Sequence, residues 1–120
     1  EQISIIGDER LLYRAIQNII SNSINHNENG CTISVSLAVN GNNLILVISD
    51  NGKGISEENL QKIQSTPHYL QSTDERLDLR HGLGLLLVKE IISIHNGTVS
   101  ISSALNNGFS TTISLPIKKQ

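Results

Sequence analysis

At 120 residues the chain can enclose one real core, and with 38% hydrophobic but only 2% aromatic residues that core must be built from Ile, Leu and Val. A net charge of −2 gives no electrostatic footprint for nucleic acid, and no apolar run approaches the ~20 residues that cross a bilayer. The single cysteine, Cys31, excludes an internal disulfide and fits a reducing compartment.

Residues 3–6 (ISII) read as a short strand ended by Gly7-Asp8. Asp8 is then the expected N-cap of a helix from about Glu9 to His26, whose apolar positions Leu12, Ile16, Ile19, Ile20 and Ile24 recur at helical spacing. After Asn-rich punctuation at 25–30 comes TISVSLAV, in which Ile33, Val35, Leu37 and Val39 alternate with small or polar residues. Asn40-Gly41-Asn42-Asn43 predicts a hairpin turn, and LILVIS (44–49), apolar on both faces, predicts a central strand. Residues 51–81 are polar, with a short helix expected near Glu57–Ile63. An apolar helix follows over about 83–95 and stops at Asn96-Gly97. Two alternating strands, Thr98–Ser103 and Ser110–Ile117, flank a turn at Asn106-Asn107-Gly108. Helices on one face of a mixed, mostly antiparallel sheet make a two-layer α/β sandwich.

Three stretches carry candidate chemistry. Asn18, Asn22 and Asn25 form a polar stripe on the first helix. Their amide oxygens are hard neutral ligands suited to Mg²⁺, although an Asn-rich chain also produces such a stripe as a solvated face. Asp50-Asn51-Gly52-Lys53-Gly54 comes straight off the central strand. An acceptor-only carboxylate there suits an exocyclic amine such as adenine's, while a strand ending in a glycine turn is an equally good account. Gly82-Leu83-Gly84-Leu85 precedes the apolar run, where unpaired helix N–H groups bind anions and missing Cβ atoms allow phosphate close. A helix-packing pair of glycines fits that stretch as well. It is neither a P-loop nor a Rossmann fingerprint.

Taken in order, GDERLLYRAIQNIISNSINH, DNGKGI and HGLGLLLVKEIISIHNGTVSI resemble the N box and the two glycine boxes of the histidine-kinase ATP-binding domain. That domain belongs to the superfamily of gyrase B, Hsp90 and MutL, and the resemblance covers essentially the whole chain, 1–120. It implies a Bergerat-type fold binding ATP and Mg²⁺. Asn22 would hold Mg²⁺, with Asn18 as the second N-box amide. Asp50 would accept from the adenine amine, in a pocket shaped by Gly52 and Gly54. Gly82, Leu83, Gly84 and Leu85 would lie at the triphosphate, with His26 and Arg80 as further ATP contacts, and about Ser56–His81 would form a lid. ATP-hydrolysing members carry a Glu where this chain has Asn18, which cannot act as a base. No catalytic base is therefore assigned, and Asn18 is the one candidate for a catalytic position. The difference favours a kinase that protects ATP from water until a histidine acceptor arrives.

The family's acceptor histidine precedes an acidic residue, whereas His26, His68, His81 and His95 precede Asn, Tyr, Gly and Asn. The chain begins on Glu1 without any Met and is expected to be a piece of a longer protein. The parent would supply the dimerisation and phosphoacceptor hairpin, usually with a sensor region and often with membrane segments, and would pass phosphate to a response regulator. The piece itself is expected to be cytoplasmic and monomeric, without membrane or nucleic-acid contact. Several positions depart from the family pattern. Asn25 replaces a common Lys or Arg, Ser23 the usual Ala, and the lid has no Phe, since Phe109 is the only one. Arg76 and Arg80 could neutralise phosphate in compensation. Two other readings share the fold: a protein serine kinase of the anti-sigma type, and a degenerate, non-catalytic docking module.

Overall fold

The computed structural model describes residues 4–27, 29–54, 56, 58, 61, 79–103 and 106–117, the side chains of residues 26 and 79–86 excepted. Helix α1 spans Glu9–His26. The Asp8 carboxylate caps it, with Oδ1 accepting from the backbone N–H groups of Arg10 at 2.9 Å and Leu11 at 3.2 Å. Glu9 in the first turn favours the positive end of the helix dipole. Strands β1 (Ile33–Asn40) and β2 (Asn43–Asp50) form the expected hairpin around the two-residue loop Gly41-Asn42. Helix α2 (Leu79–Ile94), β3 (Thr98–Ser103) and β4 (Phe109–Pro116) complete the described elements.

The sheet order is β1-β2-β4-β3, and every pairing among these strands is antiparallel. Directly paired residues share a face, so the register sorts the side chains. Leu46 and Ile48 of β2 lie level with Ile113 and Thr111 of β4, and Val99 and Ile101 of β3 continue the same row. Against this face pack Ala15 and Ile19 of α1 and Val88, Ile91 and Ile92 of α2, all buried. Each of the Ile and Val side chains contributes about 1.5–3 kcal/mol by leaving water. Apart from Pro116 at the end of β4, the opposite face of β3 and β4 is Ser and Thr, as a water-facing side requires.

Several expectations shift. Ser4–Ile6 is not a strand; Ile6 is 75% exposed, and Gly7-Asp8 is held instead by His95. Ile24, although in phase with the apolar arc, is 59% exposed, and the small Ala15 takes a core place that hydropathy spacing had not assigned. Val35, Leu37 and Val39 share the helix-facing side yet stay more than half exposed, because β1 is the sheet edge and the described helices pack over β2 and β3. Of the short helix near 57–63, Glu58 and Gln61 are helical, and the rest lies outside the described residues.

Helix α2 begins four residues earlier than the apolar run suggested. Leu79 and Arg80 are good helix formers and extend it through the glycines. Its end is a Schellman motif: Gly97 N–H donates to Ile92 C=O at 2.9 Å and Asn96 N–H to Ser93 C=O at 3.0 Å. The left-handed residue is Asn96, with φ 62, and not the neighbouring glycine. No described helix is long and apolar enough to cross a membrane.

Candidate functional site

β2 ends on the helix-facing side at Asp50, whose half-buried carboxylate accepts three hydrogen bonds. Oδ1 takes Gly52 N–H at 2.9 Å and Phe109 N–H at 3.2 Å, and Oδ2 takes the Ser23 hydroxyl at 2.7 Å. A carboxylate offers about four lone-pair sites, so one on Oδ2 remains for an outside donor. The following loop is pinned through its backbone. Asn51 exchanges bonds with Thr32, Lys53 N–H donates to Asn27 Oδ1 at 3.0 Å, and Lys53 C=O accepts from Asn106 N–H at 2.6 Å. Two glycines permit this closeness. A Cβ at Gly52 would run into the Asn27 amide, and one at Gly108, already at φ 79, would run into the Asp50 carbonyl. Gly54, at φ 68, is buried behind the loop.

The helices are brought in from the other end. Asp8, at the start of α1, donates its N–H to Nε2 of His95, just past the end of α2, at 2.8 Å. The two helices pack side by side through the core, so they run antiparallel. At about 1.5 Å rise per residue, Gly82 lies about 20 Å back along α2 and Asn22 about the same distance along α1. The start of α2 therefore comes level with the Asn stripe. Gly82 falls among the first four residues, whose N–H groups lack helical partners, whereas Gly84 lies in the second turn and not at the helix opening where it is expected. Leu83 and Leu85 flank Gly84, Arg80 stands in the first turn and His26 ends α1, but their side chains are not among those described. Arg76 and all but Ser56, Glu58, Gln61 and the helical start at 79–81 of the expected lid lie outside the described residues.

Of the stripe, Asn18 and Asn22 are half-buried and Asn25 is exposed. The Asn22 Nδ2 is buried without a hydrogen-bond partner. An amide nitrogen and oxygen exchange places on a flip of the side chain, so the same position can present the carbonyl oxygen. An unsatisfied amide beside a second half-buried Asn fits a hard cation that takes few protein ligands and completes its shell with phosphate and water. Among the described residues no cluster of three His, Cys, Asp or Glu offers an alternative metal site.

Two contributors were not legible as such. Ser23 stood out only as a departure from Ala, and its hydroxyl is engaged with Asp50. Asn27 lies one residue past the helix end and looks like punctuation, yet its Nδ2 donates to Ser23 C=O at 2.7 Å while its Oδ1 accepts from Lys53. The available signal was an Asn four residues after a small polar residue at a helix C-terminus, where orphan carbonyls need donors.

Comparison with known proteins identifies relatives of the whole fold. A family model described as histidine kinase-, DNA gyrase B- and HSP90-like ATPase matches residues 7–119. The heme sensor protein HssS of Staphylococcus saprophyticus is 36% identical over 119 residues, covering 99% of this chain and 25% of the relative. The sensor histidine kinase YvrG of Bacillus subtilis is 34% identical over 120 residues, covering 100% of this chain and 20% of the relative. Among solved structures, the mycobacterial sensor histidine kinase MprB superposes with a TM-score of 0.74 at 27% identity, covering 98% of this chain and 80% of that one. The chain thus spans a quarter or less of these two curated relatives. With the model matched across nearly its whole length, the chain belongs to the histidine kinase-, DNA gyrase B- and HSP90-like ATPase family.

Proposed function

We propose that residues 1–120 form the ATP-binding catalytic domain of a sensor histidine kinase, donating the γ-phosphate of Mg²⁺-ATP to a histidine on a separate dimerisation and phosphoacceptor domain. A response regulator would then receive the phosphate. The carrying observation is Asp50, an acceptor-only group fixed by three donors with one lone-pair site to spare. That site suits the adenine 6-amino group. Asn22 and Asn18 would hold Mg²⁺, which when bound neutralises phosphate charge. The N–H groups at the start of α2 that have no partner within the helix, Gly82's among them, would meet the phosphates, with His26, Arg80, Leu83, Gly84 and Leu85 around them and Gly52 and Gly54 shaping the base pocket.

Catalysis by this chain is then positioning: it holds the nucleotide and excludes a general base from the Asn18 place, so water is not activated. The acceptor comes from elsewhere in the parent. Of the candidates here, His95 has both ring nitrogens engaged, Nδ1 with Ile91 C=O at 2.7 Å and Nε2 with Asp8.

The test is calorimetric titration with a non-hydrolysable ATP analogue, with and without Mg²⁺, beside Asp50→Asn. Binding that strengthens with Mg²⁺ and needs Asp50 is the expected result. A folded domain that binds no nucleotide would sink the reading.

A further inference from the structure

The hydrogen bonds around Asp50 form a closed circuit. Lys53 N–H donates to Asn27 Oδ1 at 3.0 Å, Asn27 Nδ2 donates to Ser23 C=O at 2.7 Å, and Ser23 Oγ donates to Asp50 Oδ2 at 2.7 Å. Asp50 Oδ1 then accepts from Gly52 N–H at 2.9 Å, and Gly52 is joined covalently to Lys53. The ring links the last turn of α1 to the loop after β2, and each bond in it has a different job. Asn27 satisfies a carbonyl that the helix end leaves orphaned and holds the loop backbone at a fixed distance. Ser23 turns the carboxylate. Without that hydroxyl, the torsion about the Asp50 Cβ–Cγ bond would rest on its two backbone donors alone, which both grip the same oxygen.

We infer that Ser23 and Asn27 are positioning residues for base recognition, aiming the free lone pair of Asp50 Oδ2 at the amine of a 6-aminopurine. The inference rests on the adenine reading of Asp50 and goes beyond it. Neither residue needs to touch the nucleotide. Each acts through the orientation of the carboxylate, which decides whether an amine or a carbonyl at the purine 6-position is accepted. A hydrogen-bonding site left mispaired rejects a ligand more strongly than a missing contact does.

This predicts an effect on discrimination, which a merely structural role would not have. Non-hydrolysable ATP and ITP analogues differ at that position, 6-amino against 6-oxo. Their dissociation constants would be measured calorimetrically on the 120-residue domain and on Asn27→Ala and Ser23→Ala, with thermal unfolding of each variant recorded. The unaltered domain should prefer the adenine analogue at least tenfold. Asn27→Ala should weaken the adenine analogue about tenfold and the inosine analogue less than twofold, collapsing the preference. Ser23→Ala should shift it in the same direction by about threefold, and provides the test should Asn27→Ala not fold. Variants that keep the full preference, or that weaken both analogues equally, would overturn the inference while leaving the adenine reading intact. An unaltered domain that binds both analogues alike overturns the adenine reading of Asp50, and the positioning roles with it.

Discussion

The two ends of α1 are built with one device put to different ends. At the N-terminal end His95 lies against Gly7, where a Cβ would overlap the ring, and bridges two backbones by accepting from Asp8 and pairing with Ile91 C=O. At the C-terminal end Asn27 lies against Gly52 and bridges two backbones, Lys53 and Ser23. Each is a polar side chain laid on a glycine, with one donor and one acceptor group in use. The difference is what remains. Around His95 the ring's capacity is used up by groups of the chain itself. Around Asn27 the network runs on to Asp50, which keeps a spare lone pair, and next to Ser23 stands Asn22 with an unpartnered buried amide. A network that closes without residue holds a fold together. One that keeps an unused acceptor leaves room for a donor from outside the chain.

The largest expected effect breaks the comparison at the Asn27 end. In Asp50→Asn the amide oxygen can still accept from Gly52 and Phe109, and the Ser23 hydroxyl can turn to accept from the new NH₂. The fold should survive, but the group facing an incoming amine becomes a donor. Loss of a charge-assisted bond should cost about 3 kcal/mol of nucleotide affinity, roughly 100-fold, read by calorimetry. Unfolding temperature should move little.

The next effect tests the shared device. Gly52→Ala forces a Cβ into the Asn27 amide, and overpacking of this kind costs about 1–3 kcal/mol. Adding Asn27→Ala removes the obstruction, so the double variant should be more stable in urea than the sum of the two single effects. Gly7→Ala with His95→Ala should show the same sign of coupling at the other end. Strictly additive costs at either end would mean that the glycine and its partner are not in contact.

A smaller effect separates the ends. His95→Ala leaves Asp8 N–H without its partner and removes the bond to Ile91, at a cost of about 1–2 kcal/mol in urea unfolding. Nucleotide affinity should be unchanged, since His95 lies about 20 Å from the start of α2. An affinity loss comparable to the Asn27→Ala effect would erase the distinction between a closed network and an open one.

What was readable in the sequence follows the same division. α1 was found with both ends as expected, because Asp8 and the apolar spacing are local signals. The β1–β2 turn was equally local. Asp50 and the glycines were found as a pattern in order. What stayed hidden depends on contacts across the fold: Ser23 with Asp50 spans 27 positions and Phe109 N–H with Asp50 spans 59. Val35, Leu37 and Val39 alternate as a core strand should, and only the position of β1 at the sheet edge leaves them exposed. Gly82 is a natural helix boundary in the sequence, which puts the start of α2 at about 83, whereas Leu79 and Arg80 carry the helix through it.

Thr111 sharpens the comparison with the smallest effect. It lies on the helix-facing side between Phe109 and Ile113, level with Ile48, fully buried and with its hydroxyl unpartnered. By the rule drawn from the ends of α1, an unused polar group marks a site. Burial decides otherwise here. Asp50 is only half-buried, and Asn22, though its Nδ2 is buried, belongs to a half-buried side chain, whereas Thr111 is wholly enclosed by the core. Its hydroxyl is then a plain cost, and Thr111→Val, nearly the same shape, should raise stability by about 1 kcal/mol in urea unfolding with nucleotide affinity unchanged. Weaker nucleotide binding by Thr111→Val would instead place Thr111 with Asn22 and Asp50, and accessibility would no longer be what separates a site from a flaw in the core.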